Sequence, residues 1–269
     1  MLQLLKTEYK KFRYNSTVSL LFILFTVLLP TAILVGKSVL NNPSPPIPSN
    51  RIFYEFPTVW EYQGYVGNWL VFFMLGFMVL HMYTSEVSYK TMRQNIITGY
   101  TKKEYFTSKL IVIFCLGIYA TFLYTLSCLA YGMIHTTGFD LELVFDNNWA
   151  SLRFFIMCLG YMSFAFLIAN LMRSGGLSMF LYFAFALILE PIIKGAMLYT
   201  FKNEAMNYLP LNTIEDLMCM PLFRTSSDFI ETEAGVSVVN DINVTIGLSI
   251  VYTVLFIGLA WVKFKKSDV

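Results

Sequence analysis

Long apolar stretches alternate with short polar ones along the whole chain. Six stretches reach membrane-spanning length, and they lie at about 17–36, 66–84, 105–134, 152–172, 177–199 and 244–263. A helix needs about 20 apolar residues to cross the hydrocarbon core, and each crossing must satisfy its own backbone hydrogen bonds. The pattern therefore predicts an all-α polytopic protein with about six transmembrane helices in a single transmembrane domain over residues 1–269.

The distribution of charge predicts the orientation of these helices. Only 13% of the residues are charged, about half of the ~25% that is typical of soluble domains. The segments 1–16, 85–109, 173–176 and 263–269 hold 13 of the 19 Lys and Arg residues but only 4 of the 17 acids. Because cytoplasmic loops are rich in Lys and Arg, these segments and both termini are expected in the cytoplasm.

The region 190–243 breaks the simple pattern of apolar runs. At Glu190-Pro191 an apolar stretch is interrupted, so the fifth helix either ends there or continues with a kink while its charged residues face protein or water. Residues 205–223 are expected to form a short helix at, or dipping into, the outer membrane face, followed by a polar external loop. Glu190 is interpreted either as a helix-terminating residue at the interface or as a polar point in a substrate path.

The first external loop, at about 37–65, has two distinct halves. Its prolines between Pro43 and Pro48 favour an extended chain. The aromatic side chains that follow are interpreted as an interfacial belt or as a contact surface for an apolar substrate or partner, and they are Phe53, Tyr54, Phe56, Trp60, Tyr62 and Tyr65.

The most informative segment is the long basic loop 84–110. A short helix is expected from Glu86 to Thr98, ended by Gly99, and a Thr101 to Glu104 capping box is expected to start the next span. On the short helix, Tyr89, Met92 and Ile96 share a face beside Lys90 and Arg93. Such a stripe can lie on a membrane or dock into a partner, although a basic loop can also serve only to set the topology.

This loop resembles the signature loop of the type-two permease family of bacterial ATP-binding-cassette exporters. The resemblance rests on Glu86, Thr91, Gly99, Thr101 and Lys109. The sequence departs from the family at Lys90, where Gly is more common. The order of elements is also similar, from the basic N-terminal segment to the short loop at 173–176.

The resemblance implies a role for the loop and for its partners. The loop within 85–104 would be a coupling element in a cleft of a separate ATP-binding subunit, and a second permease copy, identical or different, would complete the substrate path. Residues 1–16 would form an amphipathic elbow helix on the bilayer surface. The implied coupling residues are Glu86, Tyr89, Lys90, Thr91, Met92, Arg93, Gln94, Asn95, Ile96, Gly99 and Tyr100.

Catalytic motifs are missing from the sequence. There is no phosphate-binding loop and no zinc-protease or nucleophile-elbow motif, so we expect a permease and not an enzyme. The four cysteines are Cys115, Cys128, Cys158 and Cys219, and their spacing predicts no disulfide and no metal site. We also expect no cofactor and no nucleic-acid partner. The alternative functions are a gradient-driven transporter or channel subunit, or a membrane scaffold.

Overall fold

The computed structural model describes residues 2–34, 50–138, 141–147, 149–221 and 235–267. These residues form helices and short turns, and none of them lies in a strand. The helices are named α1 (Leu2–Arg13), α2 (Ser16–Thr31), α3 (Val59–Ser88), α4 (Thr91–Ile97), α5 (Lys102–His135), α6 (Ala150–Met172), α7 (Gly175–Phe201), α8 (Pro210–Glu215) and α9 (Ile242–Lys265). The all-α polytopic fold predicted from the sequence is confirmed.

Among the described residues, five helices are long and apolar enough to cross a membrane. They are α3, α5, α7, α9 and the stretch Glu142–Met172, which contains α6. The shorter helix α2 is also apolar, with 16 residues, and the predicted first span extends beyond it into residues outside the described ranges. The second span begins at Val59, seven residues before the predicted position, because the polar start of α3 packs within the bundle instead of lying in solvent.

Helix α6 lies at the centre of the bundle. In the apolar part of the stretch that contains it, 83% of the residues are buried, against 22% in α9 and 17% in α7. The apolar side chains that α9 leaves exposed include Val251, Val254 and Leu259. A soluble protein rarely exposes so large an apolar surface, and this one is suited to lipid or to another helical subunit.

Four of the six aromatic side chains in and just before the first turns of α3 are packed inside the protein, contrary to both interpretations made from the sequence. Tyr54, Phe56, Trp60 and Tyr62 are each at most 6% exposed. The Tyr54 hydroxyl donates to the carbonyl of Ile33 at 2.9 Å. These rings pack the end of α2, the start of α3 and the end of α5 together. The proline cluster of this loop lies outside the described residues.

Helix α7 continues through Glu190-Pro191, which decides between the two alternatives left open by the sequence. Its residues Phe185–Leu189 and Ala196–Phe201 form π-helical turns on either side of the segment Glu190–Gly195. Because Pro191 has no N–H to donate and its ring crowds the preceding turn, a wider helical turn before it avoids the clash. Glu190 is 4% exposed and faces protein.

Residues 204–218 insert between the long helices. They form two 3₁₀ turns, Glu204–Tyr208 and Asp216–Met218, on either side of α8. The side chain of Ile214 is fully buried and lies over Gly160 on α6, where an added Cβ would come within 2.9 Å of it. The hydroxyl of Ser249 on α9 donates to the carbonyl of Thr213 at 3.2 Å. The segment therefore dips into the bundle instead of lying flat on its end.

Candidate functional site

The loop between α3 and α5 has a defined helical shape. Helix α3 ends at Ser88, and α4 occupies Thr91–Ile97. Gly99 has a φ of 114°, which favours glycine, and it follows the end of α4 directly. The Thr101 side chain accepts from the backbone N–H of Glu104, and the Glu104 carboxylate accepts from the backbone N–H of Thr101. The predicted capping box is confirmed.

The short helix begins later than the sequence predicted. The expected helix ran from Glu86 to Thr98, but Lys90 has a φ of 58°, a left-handed conformation that separates α4 from α3. Glu86 therefore belongs to the end of α3, and its backbone carbonyl accepts from the Thr91 hydroxyl at 3.3 Å. The bend lets α4 leave the axis of α3.

The exposed face of α4 also differs from the predicted stripe. Met92 is 4% exposed and packs into the core, so Tyr89, Met92 and Ile96 do not form one exposed surface. Instead Tyr89 is 78% and Ile97 is 83% exposed. The exposed residues between Tyr89 and Tyr100, which we call the loop face, are Tyr89, Lys90, Arg93, Gln94, Ile97, Thr98 and Gly99. Thr91, Asn95, Ile96 and Tyr100 are partly buried behind it.

Behind the loop lies a buried group of charges that we call the ion cluster, formed by Glu8, Lys11, Glu86 and Lys109. Lys109 Nζ lies 2.5 Å from Glu86 Oε1 and 2.6 Å from Glu8 Oε2. Lys11 Nζ lies 3.1 Å from Glu8 Oε1 and 3.3 Å from Glu86 Oε1. Two carboxylates and two ammonium groups balance, so the cluster joins α1, α3 and α5 without a net charge.

The surroundings of the ion cluster strengthen its charge pairs. Glu8, Glu86 and Lys109 are each at most 6% exposed, which removes most of the screening by water. The Tyr105 hydroxyl donates to Glu86 Oε2 at 2.6 Å. Burial lowers the pKa of Lys11, but the carboxylates of Glu86 and Glu8 raise it by more, so its pKa lies above the ordinary value of 10.5.

The C-terminal end of α9 meets the start of α5. Lys102 Nζ donates to the carbonyl of Ser267 at 2.8 Å. Tyr105 stacks on Phe264 with their ring centroids 5.6 Å apart. The loop, α1 and the end of α9 therefore lie at the same end of the bundle.

A second polar group surrounds Glu190, which was singled out from the sequence as a possible point in a substrate path. Glu190 Oε1 accepts from the backbone N–H of Asn212 at 2.6 Å. The Asn212 side chain accepts from Lys194 and donates to Asp216 Oδ2 at 2.9 Å. Glu190 and Lys194 are thus linked only indirectly, through Asn212. This group ties α7 to the inserted segment.

Glu8 was not identified from the sequence, although a signal was present. It is the single acid among residues 1–16, where four basic residues surround it. An isolated acid in a basic amphipathic helix indicates a specific partner. That partner, Lys109, is 101 residues away along the chain and could not be chosen without the fold.

The described residues form no group of three His, Cys, Asp or Glu side chains that could hold a metal ion. The arrangement at the loop end consists of the exposed face of α4, a neutral buried ion cluster and the helix α1. Such a site can transmit movement between a surface partner and the spans.

These features define a polytopic α-helical membrane protein with a structured helical loop at one end. The chain matches the family described as "ABC-2 family transporter protein" over residues 4–189, well over half of its length, and it belongs to that family. It is therefore a membrane component of an ABC transporter, and the resemblance noted in the sequence is confirmed. A comparison with curated proteins gives no match.

Proposed function

We propose that this chain is the permease subunit of an exporter in the cell membrane, driven by a separate ATP-binding subunit. Two permease copies, identical or different, would enclose the substrate path, and both termini would lie in the cytoplasm. The family supports an ATP-binding partner and a dimeric arrangement in general terms. The charge distribution supports the orientation, because the basic segments gather at the loop end of the bundle.

One observation supports this function best: the loop face is exposed while the ion cluster directly behind it is buried. Lys90 and Arg93 give the loop face a positive charge, and Ile97 and Tyr89 give it apolar contacts. Exposed aromatic, aliphatic and Arg side chains together are typical of protein interfaces. We therefore divide the coupling role predicted for residues 86–100 into two parts. The loop face would contact the ATP-binding subunit, and Glu86 would transmit the movement to the spans.

The ion cluster provides the route of transmission. A displacement of α4 moves the end of α3 through the Thr91 to Glu86 hydrogen bond. Glu86 is paired with Lys109 on α5 and with Lys11 on α1. Because the group is buried and tightly paired, these three helices are expected to move as a unit, so closure of an ATP-binding partner would reach two spans at once.

The cargo is proposed to be lipid-like or amphipathic. The exposed apolar surfaces of α5, α7 and α9 would let such a molecule approach from the bilayer. Glu190 and its neighbours supply a polar point at the side of α7, which is why we retain Glu190 in the proposed path.

A gradient-driven transporter is the second candidate, and one observation favours it. Buried charges beside interrupted helices mark ion-coupled sites in secondary transporters, and α7 carries Glu190 and Lys194 between two π-helical turns. This candidate does not require a partner at the loop face.

Photocrosslinking separates the two candidates. A benzoylphenylalanine placed at Ile97, which is 83% exposed at the loop face, should crosslink in cells to a protein that carries a phosphate-binding loop. The matched control is the same label at Tyr199, which is 81% exposed at the opposite end of α7. If neither position, or both positions equally, yields such a protein, the ATP-driven proposal fails and the gradient-driven one gains.

A further inference from the structure

A cavity of about 270 Å³ lies between α3, α6, α7 and α8. Its lining includes Asn68, Trp69, Phe72, Tyr161, Leu211 and Glu215. Trp69 and Leu187 are 39% and 43% exposed at its mouth, so the cavity opens at the side of the bundle. Its size suits a single head group with a few methylenes, since sites for whole drug-sized ligands begin near ~300 Å³.

Two acidic side chains lie at or beside the cavity wall, Glu215 in its lining and Glu190 next to the lining residue Pro191. No ion pair joins Glu215 or Glu190 to another residue in the part of the chain that the structure describes. Oε2 of Glu190, directly beside the lining residue Pro191, is buried without a hydrogen-bond partner. Lys194 is near both carboxylates, but its ammonium donates to Asn212.

Asn68 gives an independent sign of a ligand site. It is 2% exposed, it lines the cavity, and its Oδ1 has no hydrogen-bond partner among the described residues. A buried acceptor without a donor costs free energy that a bound N–H group would recover. On the same wall, Trp69, Phe72 and Tyr161 provide aromatic rings, which attract cations.

We propose that this cavity binds the ammonium group of an amphipathic amine, with Glu215 and Asn68 as its polar contacts and the aromatic side chains around its first methylenes. The remaining alkyl chain would leave past Trp69 and Leu187 toward the lipid. This inference rests on the proposed transport function, because it names the cargo class for the path near Glu190. An aminophospholipid and a free amphipathic amine share this chemistry.

Direct binding to the permease alone tests the site. The purified chain is held in dodecyl maltoside, and its thermal unfolding is followed during titration with octylammonium chloride or with octanol. A ligand that binds the folded state raises the unfolding temperature. We expect octylammonium to raise it in a saturable way and octanol to leave it unchanged, whereas an equal response to both would overturn the proposal.

Substitutions of the lining residues test whether octylammonium binds within the cavity. Glu215→Gln keeps the shape of the side chain but removes its charge, and it should weaken octylammonium binding by about tenfold or more. Asn68→Asp replaces the amide that bears the orphan acceptor with a carboxylate and should strengthen binding. The control Glu204→Gln changes an exposed acid outside the cavity and should have no effect. Unchanged binding in both cavity variants would overturn the assignment, even if Glu215→Gln alone disturbed folding.

A competition experiment shows whether the amine comes from a lipid headgroup or from a free amphipathic amine. The same assay also keeps a failure of the amine site distinct from a failure of the ATP-driven proposal. Competition of octylammonium by lysophosphatidylethanolamine would assign a lipid headgroup, and its failure would assign a free amphipathic amine. Because the assay contains no ATP-binding subunit, loss of amine binding says nothing against the crosslink at Ile97. Conversely, a missing ATP-binding partner would leave the amine site intact.

Discussion

Lys109 Nζ lies 2.5 Å from Glu86 Oε1, and these two residues stand on opposite sides of the loop that carries α4. The pair closes the base of the loop, so α4 cannot shift without moving the ends of α3 and α5. Both side chains are buried, and the pair is completed by Glu8 and Lys11 from α1. The basic N-terminal helix is therefore fixed to the same point through which we propose that movement of the loop is transmitted.

Glu86→Gln should destabilise the protein strongly. The change leaves two ammonium groups facing one carboxylate in a buried site, and breaking a buried pair in this way typically costs about 3–5 kcal/mol. The measurement is the thermal or denaturant-induced unfolding of the detergent-solubilised chain.

The double variant Glu86→Gln/Lys109→Met provides the control for this prediction. It restores the charge balance between Glu8 and Lys11, so its loss of stability should be smaller than that of Glu86→Gln alone. Simple addition of the two single effects would contradict the existence of a coupled cluster.

Arg93→Glu should uncouple transport from ATP hydrolysis without affecting the stability of the protein. Arg93 is fully exposed on the loop face, and surface substitutions usually change stability by less than about 0.5 kcal/mol. The reversed charge should nevertheless repel an acidic cleft in an ATP-binding partner, and transport per ATP hydrolysed should fall in reconstituted vesicles.

The matched control for Arg93 is Lys103→Glu, another exposed basic residue just beyond the loop. The Lys103→Glu variant should retain the coupling of transport to ATP hydrolysis. If both variants transport normally, the loop face is not the contact with the ATP-binding subunit.

The sequence was sufficient to predict the fold class and the construction of the loop. Hydrophobic runs of spanning length and the Thr101 to Glu104 spacing depend on residues close together in the chain, and these predictions were confirmed. The short helix was misplaced because Lys90, a residue with no special preference for φ > 0, adopts a left-handed conformation. The bend at Lys90 sets the direction of α4, and Met92 on α4 packs into the core.

The parts that the sequence did not reveal depend on distant partners. The aromatic run Tyr54 to Tyr62 has the composition of an interfacial belt, and its burial follows from contacts with α2 and α5. In the same way, the sequence alone suggests that a helix ends at Glu190, because Pro191 follows it. In the fold, the inserted segment places Asn212 against Glu190. Composition indicates that such residues are amphipathic, but only the fold specifies which side they present.

The contribution of Lys11 to stability should persist through neutral and moderately alkaline pH. Its pKa is raised in the folded state above the ordinary 10.5, so its stabilisation is complete below that value and is lost as the pH rises through the folded pKa. The difference in unfolding temperature between wild type and Lys11→Met should therefore be constant from pH 7 to about pH 9.5 and shrink above about pH 10.5. A difference that disappears between pH 6 and 8 would show that Lys11 is not held by the two carboxylates.

Gly160→Ala should displace the inserted segment from the bundle. The added Cβ would lie 2.9 Å from Cδ1 of Ile214, a fully buried side chain. Overpacking of this kind costs about 1–3 kcal/mol. Gly258→Ala is a matched control, because it also lies in a long helix but nothing is within 4 Å of its added Cβ. That control should be neutral or slightly stabilising, since alanine favours a helix over glycine.

The second variant for this site is Gly160→Ala/Ile214→Ala, in which the new methyl group occupies space vacated by the isoleucine. Its loss of stability should be smaller than the sum of the two single losses, because each change compensates part of the other. Hydrogen exchange of residues 210–218 would locate the effect, with faster exchange in Gly160→Ala than in Gly258→Ala. Equal exchange in these two variants would mean that the segment is not held by its contact with α6, and the ammonium cavity beside α8 would then lose one of its walls as a fixed surface.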